Sequence, residues 1–207
     1  MSYTIELIPR QEQTTSKWSG GTTTQIAIFP KQAVYAERNF TWRISSACVD
    51  VEQSEFTSLP GIWRLIMVLD GEMRLEHTGH HSSHLKAFEQ DSFSGDWTTT
   101  SFGKVRDFNV MLANGSTGTL TAHRLSPQAS LSLTAPTAES EYSPQTTSAF
   151  YCVDEIVTVT IANEEYQLAT GDMLLLTSRQ PASPLAIRLR NTTNTPIHIV
   201  KADINYR

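Results

Sequence analysis

No stretch of this 207-residue chain holds an amphipathic period near 3.6 for more than two turns, which removes long packed helices from the folds open to it. Alternation is what it holds instead. Residues 40–49 set Phe40, Trp42 and Ile44 on one side of an extended segment and Arg43, Ser45 and Ala47 on the other. Short runs of the same kind recur at 62–69, 73–77, 85–93, 107–111 and 120–125, then at 149–153, 156–161, 165–168, 173–177, 186–189 and 197–200. The 26 threonines and 21 serines suit half-wet pleated surfaces better than helices, so the predicted fold class is all-β, a sandwich or barrel. Asp70-Gly71, between two such runs, predicts a tight hairpin, because both turn residues need positive φ.

Between residues 126 and 148 the composition changes to Ser, Thr, Pro, Ala and Glu, with Leu131, Leu133 and Tyr142 as the sizeable apolar anchors. That predicts a crossing loop over 126–148, between an N-terminal barrel of residues 1–125 and a smaller C-terminal barrel of 149–207. Gly95-Asp96 and Gly171-Asp172, each beside a strand run, read as an internal echo. Strand, tight turn, strand, Gly-Asp, strand is the layout of a double-stranded β-helix, the cupin or jelly-roll barrel, and its repetition predicts two of them.

The formal charge of −5 arises from 21 acidic and 16 basic residues with no basic run, which argues against nucleic acid or a membrane surface as partner. The longest apolar run covers only residues 65–69, and the opening segment has neither the basic start nor the apolar middle of a secretory leader, so a soluble cytoplasmic protein is expected. Cys48 and Cys152 form no metal-knot or redox pattern and are expected to be buried thiols.

Five segments in order resemble the HutD/Ves family of bacterial bicupins, associated with histidine utilisation or stress-inducible expression. They are Trp18-Ser19-Gly20-Gly21-Thr22-Thr23 closed by Pro30; Phe40, Trp42-Arg43, Ser45 and Ala47; Phe56-Thr57 with Pro60-Gly61 and Arg64; Phe93 with Gly95-Asp96; and Asp107-Phe108-Asn109-Val110-Met111. Together they span residues 17–111, whereas the C-terminal half resembles the family only at 157–168 and Gly171-Asp172. Thr57 and Leu59 depart from a commoner serine and aromatic, which touches packing more than chemistry. The resemblance implies a two-cupin fold without established enzymatic activity, acting as a small-molecule-binding auxiliary or regulator.

Metal-using cupins converge histidines and a glutamate from neighbouring strands on a divalent ion. Neither 62–69 nor 107–111 contains a histidine, so the barrel interior is expected to be metal-free, and no cofactor is expected. Four of the six histidines, His77, His80, His81 and His84, lie together at what reads as a hairpin tip, a solvated loop without the rigid surroundings of a metal site.

Strand parity points elsewhere. Arg43 and Ser45 share a face, Arg64 shares one with Ile66 and Val68, and Asp107 and Asn109 share one with Met111. Polar groups on mainly apolar strands must find partners, since an unpaired buried charge is costly. Two outcomes are open. Either arginine pairs with Asp107 and closes the barrel, or two arginines against one acid leave positive charge for a small organic acid at a mouth lined by Trp18, Thr22 and Thr23. Nucleophilic catalysis has little support, because no GxSxG elbow occurs and nothing places a histidine beside either cysteine. The expected function is therefore a non-enzymatic bicupin that binds a small anionic metabolite through these residues in an auxiliary or regulatory role. A homodimer is the assembly that edge-to-edge joining of sheets would produce. The alternative is a cupin enzyme, metal-dependent or metal-free, acting on a small carboxylate.

Overall fold

The computed structural model describes residues 3–113, 115–135, 145–179 and 185–207. In chain order the strands are β1 (Tyr3–Ile8), β2 (Thr14–Trp18), β3 (Gly21–Phe29), β4 (Trp42–Val49), β5 (Gln53–Glu55), β6 (Ile62–Gly71), β7 (Met73–His77), β8 (Ser82–Leu85), β9 (Gln90–Ser94), β10 (Thr99–Phe102) and β11 (Val105–Ala113). Then come β12 (Thr117–Leu125), β13 (Ser130–Thr134), β14 (Gln145–Cys152), β15 (Ile156–Ile161), β16 (Glu164–Ala169), β17 (Met173–Arg179), β18 (Ala186–Asn191) and β19 (Ile197–Tyr206). Among the described residues the helical pieces are two 3-10 turns, Arg10–Glu12 and Tyr35–Glu37, so the chain is all-β. Among the described residues no helix is long and apolar enough to cross a membrane.

Two compact units result, one of Gln13–Gly115 and one of Met1–Glu12 with Ser116–Arg207. The first has the sheets β4-β11-β6-β9 and β5-β10-β7-β8, with β3 and β2 extending the former beyond β4. The second has β12-β19-β14-β17 and β13-β18-β15-β16, with β1 added beyond β17. Counting eight strands from β4 and from β12 gives the order 1-8-3-6 over 2-7-4-5 in both, which is the jelly-roll arrangement of a cupin barrel. The chain is thus a bicupin.

The division differs from the sequence-based one. β12 pairs with β19 from Thr117 to Leu125, and β1 pairs with β17, so both termini of the predicted first barrel are built into the second. Nor is 126–148 simply a crossing: it contains β13, paired to β18, and the start of β14. Strand β13 was hidden because its burial alternates exposed and intermediate, with Leu131 and Leu133 as its inward contacts. Residues 136–144 of that segment lie outside the described residues.

Asp70-Gly71 does not close a hairpin. β6 pairs with β11 and β9 while β7 pairs with β10 and β8, so the dipeptide carries the chain from one sheet to the other. A jelly roll requires this, since its third and fourth strands lie in opposite sheets. Gly71 is needed there: its φ is +86°, and a Cβ would lie 2.7 Å from the Lys104 carbonyl oxygen. The run 85–93 is likewise two strands, β8 and β9, broken by a turn.

That turn is the true internal repeat. The Lys86 N–H donates to Glu89 Oε2 at 2.8 Å, and the Ala169 N–H donates to Asp172 Oδ2 at 2.9 Å. Phe88 N–H donates to the Val68 carbonyl at 2.7 Å, and Gly171 N–H to the Cys152 carbonyl at 2.8 Å. Val68 and Cys152 donate back to Glu89 and Asp172 at 3.1 and 3.0 Å. Gly171-Asp172 is therefore matched by Phe88-Glu89, both preceding the sixth strand, and not by Gly95-Asp96, which follows it. Phe88 adopts φ +67° where the second barrel uses glycine, so residue identity concealed the equivalence.

Each barrel has its own apolar filling. Val68, Met73, Leu75, Leu85 and Phe93 form one cluster in the first. In the second, Phe150, Val157, Val159, Leu174, Leu189 and Ile199 form another.

Candidate functional site

The register of β4, β11 and β6 sets three rows of side chains across one face of the first barrel's larger sheet. Arg43, Met111 and Arg64 make the first row; Ser45, Asn109 and Ile66 the second; Ala47, Asp107 and Val68 the third. On β3, Gln25 faces Ser45 and Thr23 faces Ala47. The parity expected from sequence is the one observed, and it brings both arginines, the acid and the amide into a cavity of ≈ 280 Å³. This approaches the lower end, about 300 Å³, of pockets that hold small molecules.

The arginines are held differently. Arg43, 5% exposed, donates from Nε to Gln25 Oε1 at 2.8 Å and from Nη1 to Ser45 Oγ at 3.1 Å, with its guanidinium 4.3 Å from the Tyr35 ring centroid. Arg64, 7% exposed, lies over the rings of Phe56 and Phe93 at 4.5 and 5.2 Å. Among the described residues its side chain makes no hydrogen bond or ion pair, and its Nε is buried without a partner. Asn109 Oδ1 is also buried and unpartnered. Of the two outcomes open at the sequence level, ion-pair closure with Asp107 is not adopted by either arginine.

Charge in the cavity follows from burial. Burial pushes the Asp107 carboxyl up to about 7, against the opposing pull of the Arg64 cation and the Ala47 N–H. Burial also brings Arg64 down to about 10, with Tyr35 and Asp107 opposing and Arg43 reinforcing. Arg43 is lowered by burial too, with Tyr35 opposing. Near neutral pH both guanidiniums are charged while Asp107 is only partly ionised, so the interior carries an excess of positive charge. Glu55, the other carboxylate lining the cavity, is exposed at its rim.

Trp18 and Thr23 line the cavity, but Thr22 does not. Thr22 pairs with Cys48, one residue out of phase with the cavity-facing Thr23 and Ala47, and so falls on the opposite face. The same parity exposes Cys48, contrary to expectation, whereas Cys152 is buried with its thiol pushed up to about 12 by burial first and by Asp154 and Asp172 next. Sequence reasoning missed Tyr35, Phe56 and Gln25. Tyr35 sits in a 3-10 turn outside any strand pattern, while Phe56 belongs to a turn motif whose spacing does not show where its ring points.

The second barrel offers a telling contrast. Aligned on Val68 and Cys152, Lys201 and Asp203 take the places of Asn109 and Met111, and Ser148 that of Arg64. Lys201 Nζ pairs with Asp203 Oδ2, and Ser148 donates to Asp203 Oδ1 at 2.6 Å, so that barrel's charges satisfy one another.

The four-histidine segment is not the uniformly solvated tip expected. His77 is buried on β7, and His80 stacks on Trp97 at 3.8 Å between centroids. The exposed His84 meets Glu72 at 3.1 Å. Within the first barrel's cavity, by contrast, two guanidiniums stand beside Asp107 and Asn109 with no histidine in the lining, a cationic surrounding that does not suit a divalent cation.

The sequence model of the HutD family matches residues 10–195. Protein Ves from Escherichia fergusonii is 35% identical over 96 residues, covering 44% of this chain and 48% of Ves, so the chain spans about half the length of that curated relative. Among solved structures, the conserved protein of unknown function PA5104 from Pseudomonas aeruginosa PAO1 is 23% identical, with a TM-score of 0.79 over 99% of this chain and 100% of that one. HutD from Pseudomonas fluorescens SBW25, solved in a formate condition, is 21% identical with a TM-score of 0.67 over 96% and 98%. Oxalate decarboxylase from Lactobacillus farciminis, solved as a formate complex, shares the fold at 8% identity, with a TM-score of 0.65 over 95% of this chain and 85% of its own.

Proposed function

Because the chain belongs to the HutD family, with its bicupin architecture, we propose that its first barrel is a receptor for a small carboxylate, serving an auxiliary or regulatory role in amino-acid or histidine catabolism, or in stress. The observation that carries this reading is Arg64: among the described residues its guanidinium has no hydrogen-bond or ion-pair partner, its Nε is buried, and it lines the cavity, so its donors are available to an acceptor that enters there. A carboxylate does so through its two oxygens, matching the planar fork of donors. The buried Asn109 side chain supplies a further polar contact, and Tyr35, Phe56 and Met111 would border a small apolar body. The formate condition of the Pseudomonas fluorescens relative makes formate the first probe.

The test is a thermal-shift screen of small mono- and dicarboxylates, starting with formate. A ligand at a hundred times its Kd stabilises by about 2.7 kcal/mol, or on the order of 5–10 °C for a protein of this size. Arg64→Met should abolish the response while circular dichroism shows the fold retained. No response to any acid, or an equal response in the variant, would contradict the proposal.

Asp107 favours a second reading. A carboxyl near 7 inside an anion pocket is suited to general acid–base work, so a metal-free enzyme acting on the same acid is the competitor. NMR of the responding acid incubated with protein separates the two: an unchanged spectrum supports a receptor, and Asp107-dependent consumption supports an enzyme.

A further inference from the structure

We infer that His77, His81 and Asp91 form a zinc-type metal site at one end of the first barrel, separate from the arginine cavity. His77 Nε2 lies 3.1 Å from Asp91 Oδ2, and His81 Nε2 lies 3.1 Å from both Asp91 oxygens. All three ligand atoms fall within 4.8 Å of one another. Tetrahedral zinc with bonds of about 2.0–2.1 Å asks for ligand atoms roughly 3.4 Å apart, so the two imidazoles already converge on the carboxylate at close to the needed spacing.

The chain builds this convergence from β7, the turn that leads into β8, and β9. β7 and β8 form a hairpin in which the His80 N–H donates to the His77 carbonyl and the His77 N–H to the His81 carbonyl, both at 2.9 Å. Gly79, third in the His77–His80 turn, has φ +78°, a conformation turns of this kind assign to glycine. Asp91 comes from β9 in the other sheet, which is why no sequence spacing revealed it.

Outer contacts hold His77 and Asp91 in place, contrary to the expectation of a solvated loop without rigid surroundings. Thr99 Oγ1 lies 2.8 Å from His77 Nδ1 and 3.5 Å from the Trp97 carbonyl oxygen. In a neutral ring one nitrogen donates: with Nε2 protonated it donates to Asp91 while Thr99 donates to Nδ1, and with Nδ1 protonated it donates to Thr99 and leaves the Nε2 lone pair for a cation. Zinc binding selects the second tautomer, and a histidine ligand whose other nitrogen bonds an oxygen is the common arrangement at metal sites. Asp91 is oriented by Ser83 Oγ at 2.6 Å and the Ser92 N–H at 2.7 Å. Phe93 and Trp97 pack against the His77 ring at 4.5 and 5.6 Å between centroids, closing the inner side. The His81 side chain is 43% exposed against 0% for His77, so the fourth position faces solvent and is open to water. Three N/O ligands with one open place match zinc better than calcium or magnesium, which take more oxygens.

The test uses tag-free full-length protein, stripped with chelator and titrated with zinc sulfate against a chromophoric competitor. One equivalent should bind with sub-micromolar Kd, and Asp91→Asn and His81→Gln should each weaken it at least ~10-fold. His81 is surface-exposed, so that variant keeps its metal-free melting temperature, whatever Asp91→Asn does to folding. The double variant His80→Gln/His84→Gln should bind as the parent does, which distinguishes this site from capture by exposed histidines. Absence of a saturable equivalent, parental affinity in His81→Gln, or loss of binding in the double variant would each overturn the assignment.

Discussion

Replacing Asp107 with asparagine removes one ionisation and retains the size and hydrogen-bonding outline of the side chain. The carboxyl sits at about 7 in the folded protein against an ordinary 3.8, because burial disfavours its charge more than Arg64 and the Ala47 N–H favour it. A raised folded value means that the folded state holds the proton more tightly. Its stabilising contribution is complete below pH 3.8 and is lost as pH rises through about 7, after which it changes no further. Across that window the loss is on the order of 4 kcal/mol, with about 2 kcal/mol falling between pH 5 and pH 7. Urea denaturation of parent and Asp107→Asn at intervals from pH 5 to pH 8 measures it. The variant should gain about 2 kcal/mol on the parent between pH 5 and 7 and hold a constant margin above pH 8. Stability curves that run parallel across this range would show that Asp107 is ionised normally and that the cavity is wetter than its burial implies.

Further expectations concern other parts of the chain. Anion affinity should fall as pH rises through about 7, because ionised Asp107 repels a carboxylate, and Asp107→Asn should flatten that profile in calorimetric titration. Without ligand, Arg64→Met should raise stability by about 1–4 kcal/mol, since an apolar chain replaces a buried unpartnered charge; a denaturant midpoint below the parent's would mean that Arg64 is satisfied in solution. Under native conditions Ellman's reagent should titrate one thiol per chain, Cys48, and none after Cys48→Ser, whereas two reactive thiols would contradict the burial of Cys152. Gly171→Ala, at φ +90°, should cost about 1–2 kcal/mol by thermal unfolding, and no loss would indicate that the turn relaxes.

The sequence disclosed most of what lies within single strands and little of what is decided between them. Alternation alone set Arg43, Arg64, Asp107 and Asn109 on inward faces, because a period of two leaves no freedom once neighbouring apolar residues are buried. The same period places Thr22 and Cys48 on the face away from the cavity. Sheet exchange at Asp70-Gly71 was illegible, since a turn dipeptide specifies positive φ but not which strand comes next. The repeat survives not as an identical dipeptide but as a hydrogen-bond pattern in which Phe88-Glu89 stands for Gly171-Asp172. Long-range convergence was the least visible of all: Asp91 meets His77 only because two sheets close on each other, and Tyr35 meets Arg43 from a turn with no strand period.

The most direct measurement is a crystal structure of the protein grown with formate at saturating concentration. A receptor barrel predicts formate density in the cavity with an oxygen about 2.7–2.9 Å from the Arg64 guanidinium, and none at the Lys201–Asp203 pair of the second barrel. Formate bound elsewhere, or Arg64 paired to a protein carboxylate with the cavity holding only water, would contradict it.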